Sequence, residues 1–294
     1  MRKLVLGVFG YSLAACSQET VLQPAPGAPA GGEVFVSELA LAPLMPESRE
    51  LTGVATTSDG LYVLDRHHGL FQVLSDRVVP VFTLAELPAR FGLPATLTFT
   101  DVVALDDRRF ALTAENDGYL LDRSADTLVS HFCYFPPLEE DPNTGEPVVV
   151  ENPSVSQVLT AEGIPARQLT ESVAFSPEGG MLFAQPRTFR MDTGEVAGAE
   201  VLTFPSSGGG APEQVFPIMN PNFVAGGMVT DGGVRLVLGA GNSLYTMETN
   251  EQPALLRSFE ADLRITGMAR VASDLVVLLD DIGKRLLWID PTAL

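Results

Sequence analysis

Acidic and amide side chains recur at matching places of a repeated pattern in this 294-residue sequence. Such residues end a short apolar run at Asp65, Glu115, Gln185 and Asp280, and begin one at Asp101 and Glu171. Carboxylate and amide oxygens are the ligands of Ca²⁺, which takes six to eight of them. The sequence therefore predicts a cation site of the calcium type, although acids of a strongly acidic chain also collect in solvated loops. The predicted ligands are Glu50, Asp65, Asp101, Glu115, Asn116, Glu171, Asn222 and Asp280.

The elements that would position these residues are short strands. Apolar runs of four to seven residues, rich in Val and Leu, alternate with turn residues, and no run keeps a helical period over three turns. One helical turn is predicted within 84–91. A unit of strand, turn and strand recurs five times, over 51–65, 99–115, 169–185, 224–238 and 265–280.

The spacing of these units predicts an all-β protein, a β-propeller with five recognisable blades or with six. Gly53, Val102, Ser172, Gly227 and Gly267 occupy one position of the unit, at intervals of 49, 70, 55 and 40 residues. Repeats of 40 to 50 residues with several strands are typical of propellers. The long interval contains an insertion at about 136–168, either a surface excursion or a degenerate sixth blade. A β-sandwich is the alternative fold.

The last unit supplies only three strands, so the run Glu33–Leu39 is predicted to complete it from the other end of the chain. Such a closure removes the exposed edge of the ring. Antiparallel pairing places the start of the first strand beside the end of the second. The predicted cation ligands would then share one rim of the channel.

The same runs carry a resemblance to known propellers. Leu169-Thr-Glu-Ser-Val-Ala-Phe-Ser-Pro-Glu-Gly and the run 51–65 resemble blades of NHL, gluconolactonase-like SMP-30 and phytase-esterase-like propellers. The resemblance extends in degenerate form over residues 50–290. It implies the propeller fold and, as one possible activity, metal-dependent lactone or ester hydrolysis. SMP-30-like lactonases bind a divalent cation through Glu, Asn and Asp, and Glu50 would correspond to the first of these.

The N-terminus predicts export. Arg2 and Lys3 precede an apolar run, 4–13, that is too short to span a bilayer and is typical of a signal peptide. The run ends in Leu13-Ala14-Ala15-Cys16, which resembles the lipobox of bacterial lipoproteins; an ordinary secretory signal is the alternative. The resemblance implies cleavage before Cys16, acylation of its thiol and, with Ser17 next, an outer-membrane rather than inner-membrane location in the cell envelope. The predicted organisation is a signal peptide 1–15, a lipidated flexible tether 16–32 and a propeller 33–294.

Net charge and cysteine content restrict the classes of partner and the disulfides that the sequence allows. The formal net charge is −19, and removing residues 1–15 makes it −21. Such a surface repels nucleic acid and anionic lipid, so the membrane is predicted as a partner only through the lipid anchor. With Cys16 acylated, Cys133 has no disulfide partner and is interpreted as a packed thiol. His67 and His68 are interpreted as residues of a solvated hairpin, and Trp288 as blade packing.

Three functions remain open. The first is a lipid-anchored, non-enzymatic propeller that binds an envelope protein through one rim. The second is a metal-dependent hydrolase of the SMP-30 or phytase-esterase-like kind. The third is a periplasmic sensor of a small ligand in the channel. The chain has no Gly-X-Ser-X-Gly motif and only three histidines, which leaves few candidates for acid–base catalysis.

Overall fold

The computed structural model describes most of the chain after residue 34. The described ranges are 35–114, 117–133, 138–140, 147–149, 157–159, 165–176, 180–205, 214–218, 227–229, 235–248, 251–259, 262–271 and 275–290. The predicted signal peptide and tether lie outside them. So do Glu115, Asn116 and Asn222, and the side chain of Glu171 is likewise not described.

Blades 1 and 2 are four-stranded antiparallel sheets in which each strand pairs with the next along the chain. Blade 1 consists of β2 (Leu51–Thr57), β3 (Gly60–Asp65), β4 (Gly69–Val73) and β5 (Val78–Thr83). Blade 2 consists of β6 (Asp101–Ala104), β7 (Arg109–Ala114), β8 (Asp117–Asp122) and β9 (Thr127–Cys133). Between them, a 3-10 turn (Leu84–Glu86) and a π-helical turn (Leu87–Phe91) confirm the predicted local helix.

The insertion contributes strands outside the regular pattern. β10 (Leu138–Glu140) and β11 (Pro147–Val149) form a separate two-stranded sheet, and β12 (Gln157–Leu159) joins blade 3 as a fifth strand. The other strands of blade 3 are β13 (Pro165–Ser176), β14 (Met181–Arg190), β15 (Val196–Pro205) and β16 (Gln214–Ile218). Among the described residues the insertion therefore builds no sixth blade.

Blades 4 and 5 complete the ring. Blade 4 consists of β17 (Gly227–Val229), β18 (Arg235–Ala240), β19 (Ser243–Glu248) and β20 (Ala254–Ser258). Blade 5 combines β21 (Ile265–Arg270), β22 (Val276–Asp280) and β23 (Arg285–Ile289) with β1 (Phe35–Ala40). β1 pairs antiparallel with β23, from Phe35 opposite Ile289 to Ala40 opposite Arg285. The predicted closure by an N-terminal strand is confirmed.

The core is divided among the five junctions between blades. Alternate residues of a strand face opposite sides of its sheet, so Tyr62 and Leu64 pack against blade 2. Their neighbours Leu61 and Val63 pack against blade 5, together with the buried Trp288. Three further clusters fill the junctions between blades 4 and 5, 3 and 4, and 2 and 3. Each sheet is thus covered by two neighbours, the arrangement of a five-bladed β-propeller, and the β-sandwich alternative is wrong.

Small residues lie where the innermost strands approach each other. Each of β2, β6, β13, β17 and β21 contacts the innermost strand of both neighbouring blades. A Cβ atom added to Gly267 would lie 2.8 Å from the Val54 nitrogen, and one added to Gly53 would lie 2.8 Å from the Val102 nitrogen. Both distances are too short for a side chain, which explains the recurring glycine.

Candidate functional site

The blade pattern gives the ring two unlike rims. At the loop rim the first strand of each blade begins and the second ends, as the pairs Leu51–Asp65, Ser172–Gln185 and Ile265–Asp280 show. The segments that connect one blade to the next, such as 41–50 and 84–100, also run at this rim. The turns between the second and third strands of a blade, such as 66–68, lie at this rim too. The opposite, hairpin rim carries the turns between the first and second strands and between the third and fourth, such as 58–59 and 74–77. Asp65, Asp101, Gln185 and Asp280 all lie at the loop rim.

Asp65 is buried in the turn between β3 and β4. Its Oδ1 accepts a hydrogen bond from the His67 backbone nitrogen at 2.8 Å and lies 3.0 Å from Nδ1 of His68. Its buried Oδ2 has no hydrogen-bond partner among the described residues. The aspartate therefore organises its own turn, and it orients the half-exposed His68 ring through one of the two ring nitrogens.

His67 faces a different carboxylate. Its Nε2 lies 3.5 Å from Oε2 of Glu50, whose Oε1 accepts a hydrogen bond from Arg66 at 3.1 Å. The two adjacent histidines therefore point to separate acids, and 46% of the His67 side chain is exposed. The interpretation of a hairpin in solvent fits His67, whereas His68 is held by the buried Asp65.

Asp280 occupies the matching position of blade 5 and behaves in the same way. Its Oδ1 accepts from the Ile282 nitrogen, two residues ahead as in blade 1, and from the Arg264 nitrogen at 3.0 Å. Its Oδ2 accepts from Nε of Arg285 at 2.8 Å. The acid that ends this repeat thus closes the following turn, a common use of aspartate.

The neighbouring Asp281 joins the last blade to the first. Its Oδ1 accepts a hydrogen bond from the Leu51 backbone nitrogen at 2.7 Å and another from Nζ of Lys284, and its Oδ2 accepts from Arg264. Burial raises the pKa of Asp281, but the hydrogen bonds from Lys284, the Leu51 nitrogen and Arg264 outweigh it and hold the pKa below its ordinary value of 3.8. The sequence pattern did not single out this role; the Asp-Asp pair that ends the fifth unit was the available signal.

Asp101 performs the equivalent task between blades 2 and 3. The side chain is buried, Oδ1 accepts from the Val102 nitrogen and Oδ2 accepts from the Val173 nitrogen of the next blade at 2.9 Å. Burial raises the pKa of Asp101 well above 3.8, against the lowering effect of the hydrogen bonds from Val173, Val102 and Ser172. Asp101 therefore ties two innermost strands together.

Bulges recur at the start of the innermost strands. The register shifts between Leu51 and Gly53, between Thr170 and Ser172, and between Ile265 and Gly267. The residue skipped in each case stands directly before the small residue of the repeat. A bulge of this kind bends a strand and redirects a side chain, and it was not foreseen from the sequence.

The predicted cation ligands are therefore distributed around the rim. Glu50 and Asp65 share the β3–β4 region, Asp101 lies between blades 2 and 3, and Asp280 lies in blade 5. Within the described ranges, no three His, Cys, Asp or Glu side chains form a group that could hold a metal ion. The calcium site thus depends on Glu115, Asn116, Glu171 and Asn222, whose side chains are not described, and it stays a prediction.

Blade 3 extends beyond the loop rim as a β-arm. β13 has 12 residues and β14 and β15 have 10 each, against four to seven in the strands of blades 1 and 2. Pairing continues past Gln185, through Arg187 opposite Ala199 to Phe189 opposite Val196. The turn at the tip is held by hydrogen bonds from the Arg190 side chain to both carboxylate oxygens of Asp192. We call residues 186–199, with the strand segments 157–159 and 165–170 that pair beside them, the blade 3 arm.

A small cavity lies where blade 3 meets blade 4, just below the base of the arm. It has a volume of about 10 Å³ and is lined mainly by apolar side chains, with Ser172 and Gln185 as polar neighbours. This volume accommodates about one water molecule. It is too small for an organic ligand.

The hairpin rim has its own link between blades 1 and 2. Ser58 donates to Asp107 through both its backbone nitrogen and its hydroxyl, at 2.8 and 2.6 Å. Arg123 of blade 2 pairs with Asp59 of blade 1 at 3.1 Å. Burial and a hydrogen bond to Asp59 raise the pKa of Tyr62 to about 12. The turn at 58–59 of blade 1 and the turn at 106–108 of blade 2 thus hold the two blades together.

Comparisons with known proteins identify no family. No protein family model matches the chain, and no curated protein matches it. In the described part of the chain, no helix has the length and apolar character needed to cross a membrane.

Three of the solved structures that match this chain are the following. The extracellular domain of a hybrid two-component system from B. thetaiotaomicron matches with 13% identity and a TM-score of 0.40, over 82% of this chain and 27% of that one. This chain thus spans about a quarter of the length of that extracellular domain. A mitotic checkpoint complex structure matches with 10% identity and a TM-score of 0.40, over 92% and 99%. The Cps50 (Swd1) β-propeller domain of Myceliophteria thermophila matches with 12% identity and a TM-score of 0.37, over 81% and 83%.

Proposed function

We propose that this protein is a lipid-anchored lipoprotein of the bacterial cell envelope whose propeller binds a partner protein through its loop rim. Cys16 carries the anchor, residues 17–32 form the tether, and the ring serves as a rigid, non-enzymatic scaffold. The observation that carries this proposal is the blade 3 arm, which lengthens one blade of an otherwise regular ring on one rim only.

The arm suits a binding role because it is stiff and exposed. Paired segments of four strands hold it, with one register shift between Thr188 and Phe189, and the Arg190–Asp192 pair fixes the turn at its tip. Met191 at that tip is 52% exposed. Apolar side chains presented on a rigid element contribute strongly to protein interfaces, and methionine is enriched there.

The carboxylates of the loop rim support the scaffold over a catalytic site. Asp280 and Asp101 each use both carboxylate oxygens to hold turns or neighbouring strands, and Asp65 uses one. Groups engaged in this way stabilise the ring and serve poorly as general acids or bases, because their hydrogen bonds would have to break during a reaction.

The test is recovery of a partner from cells that produce the full-length anchored protein. Chemical crosslinking and purification should recover one stoichiometric envelope protein with the natural chain. A variant in which a two-residue turn replaces 188–198, and so joins the facing residues Arg187 and Ala199, should lose that protein while keeping its melting temperature. Asp76→Ala, on the hairpin rim, is the matched control and should retain it. A folded arm variant that still recovers the same protein would refute the arm as the binding element.

The anchor has a separate test. Mass spectrometry of the mature N-terminus should find an acylated Cys16, and Cys16→Ser should move the protein from the membrane fraction to the soluble fraction. An unmodified Cys16 in the mature chain would contradict the lipoprotein assignment.

A further inference from the structure

The N-terminal strand enters the ring at the hairpin rim. β1 begins at Phe35, opposite the end of β23 at Ile289, and finishes at Ala40, opposite Arg285. Arg285 follows the β22–β23 turn, which lies at the loop rim. Directly after β1, the Leu41 nitrogen donates to the Lys284 carbonyl at 2.7 Å. This hydrogen bond holds the end of β1 against the β22–β23 turn at the loop rim. The tether and the blade 3 arm are therefore attached to opposite rims.

The two rims also differ in what they expose. Six large apolar residues are strongly exposed among the described residues, and two of them lie in turns of the loop rim: Met191 at 52% and Ile282 at 59%. The other four lie on strands at the outside of the ring: Val36, Val79, Val129 and Leu255. The described turns of the hairpin rim carry mainly Asp, Ser and Arg, as in 58–59, 75–77 and 106–108.

We propose that the anchored propeller is held with its hairpin rim toward the membrane, so that the loop rim and the blade 3 arm are presented away from it to a protein partner. This inference rests on the lipid anchor of the proposed function. It narrows the partner class to envelope proteins that approach from the side opposite the anchoring bilayer.

The length of the tether supports this orientation. Residues 17–34 separate Cys16 from Phe35. A flexible chain of that length has a root-mean-square span of roughly 23 Å. A six-residue strand is about 20 Å long. To turn the loop rim toward the bilayer, the tether would have to run back along the whole height of the ring, which uses nearly all of its average span.

The blade 3 arm makes the opposite orientation, with the loop rim toward the membrane, less favourable. Five residues of β14 follow Gln185, and at about 3.4 Å per residue they carry the tip roughly 17 Å beyond the loop rim. With the loop rim downward, this arm would meet the bilayer first and hold the ring away from it. With the hairpin rim downward, no such obstacle exists among the described residues.

Fluorescence quenching tests the orientation. The full-length acylated protein, with Cys133→Ala to leave no other thiol, is bound to vesicles of phosphatidylethanolamine and phosphatidylglycerol with a headgroup-attached quencher. One probe is placed on the hairpin rim through Asp76→Cys, whose native side chain is 70% exposed. Its counterparts are on the loop rim through Ile282→Cys, 59% exposed in the native chain, and at the arm tip through Thr193→Cys.

The hairpin-rim probe should be quenched at least about twofold more strongly than the loop-rim probe, and the arm-tip probe least of all. Removing 21–28 from the tether should widen that ratio, because a shorter chain leaves less room to rotate. Equal quenching, or stronger quenching at Ile282→Cys, overturns the orientation while the anchor stands. A chain that mass spectrometry shows to be unacylated, and that does not float with the vesicles, overturns the anchor and the orientation together.

Discussion

Replacement of Asp281 should lower the stability of the ring. This aspartate is 2% exposed and receives three hydrogen bonds at the seam between blades 5 and 1, from the Leu51 nitrogen, Lys284 and Arg264. Asp281→Ala removes the acceptor of a buried backbone N–H, and leaving such a donor unsatisfied costs about 1–3 kcal/mol. It also leaves Lys284 and Arg264 without their carboxylate.

Solvent reduces the part of the lost stability that comes from the charged partners Lys284 and Arg264. The Arg264 side chain is 51% exposed and that of Lys284 is 22% exposed, so water screens much of their attraction to Asp281. We therefore expect a total loss of about 2–4 kcal/mol in the free energy of unfolding for Asp281→Ala. In a domain of this size, about 1 kcal/mol corresponds to 2–4 °C in the melting temperature. Asp281→Asn keeps an oxygen for the Leu51 nitrogen and should lose about half as much.

The loss should depend on pH in a defined direction. The native pKa of Asp281 is lowered below 3.8, so unfolding at acidic pH takes up a proton at this site. The stability that Asp281 contributes is therefore present above about pH 4 and disappears as the pH falls through the native pKa. The difference between the natural chain and Asp281→Ala should shrink at low pH.

Denaturant unfolding of the purified protein, followed by circular dichroism at pH 7 and below pH 4, measures both effects. Asp76→Ala is the matched control, because Asp76 is 70% exposed and pairs only with the adjacent Arg77 among the described residues; it should change stability by less than about 0.5 kcal/mol. A loss of under about 0.5 kcal/mol for Asp281→Ala at pH 7 would refute the reasoning, because a buried amide at the seam cannot lose its acceptor without cost.

Three further outcomes are expected. Gly267→Ala should destabilise the ring by about 1–3 kcal/mol in the same unfolding assay, because its new Cβ atom meets the Val54 nitrogen. Gly198→Ala is the control and should be near neutral, because the Gly198 position has open space around it. Equal effects of the two substitutions would contradict close packing at the axis. Asp101 has a raised native pKa, so the stability that it contributes is complete below about pH 4 and is lost as the pH rises through that pKa. Asp101→Asn should remove this decline in stability. An unchanged dependence of stability on pH in Asp101→Asn would contradict the raised pKa. Ca²⁺ or another divalent ion should raise the melting temperature if the predicted cation site forms, and no shift with any divalent ion would remove that site and the hydrolase alternative with it.

The repeated units made most of the fold predictable. Strands such as Gly60–Asp65 and Arg285–Ile289 have local signals, namely short apolar runs between turn residues, and the interval between units defined the ring. The closing strand β1 was predictable because the last unit supplies only three of the four strands of a blade. The length of β13, β14 and β15 was not, since continued pairing beyond Gln185 depends on register between strands and not on any local pattern.

The site was predicted less completely. The sequence placed Asp65, Asp101 and Asp280 at one rim, but it could not reveal what each carboxylate contacts. Asp101 reaches the Val173 nitrogen across 72 positions of sequence, and Asp281 reaches the Leu51 nitrogen across 230. Such pairings arise only when blades are packed side by side. A pattern within one unit contains no information about them.

The pairing of β1 with β23 has a consequence for the time course of folding. Phe35 can pair with Ile289 only after β23 has been synthesised, more than two hundred positions later in the sequence. Contacts of such high sequence separation form slowly. Until then the side of blade 1 that packs on Leu279 and Trp288 stays open to solvent. A chain stopped before Arg285 would keep that apolar surface exposed and would be a target for chaperones and proteases.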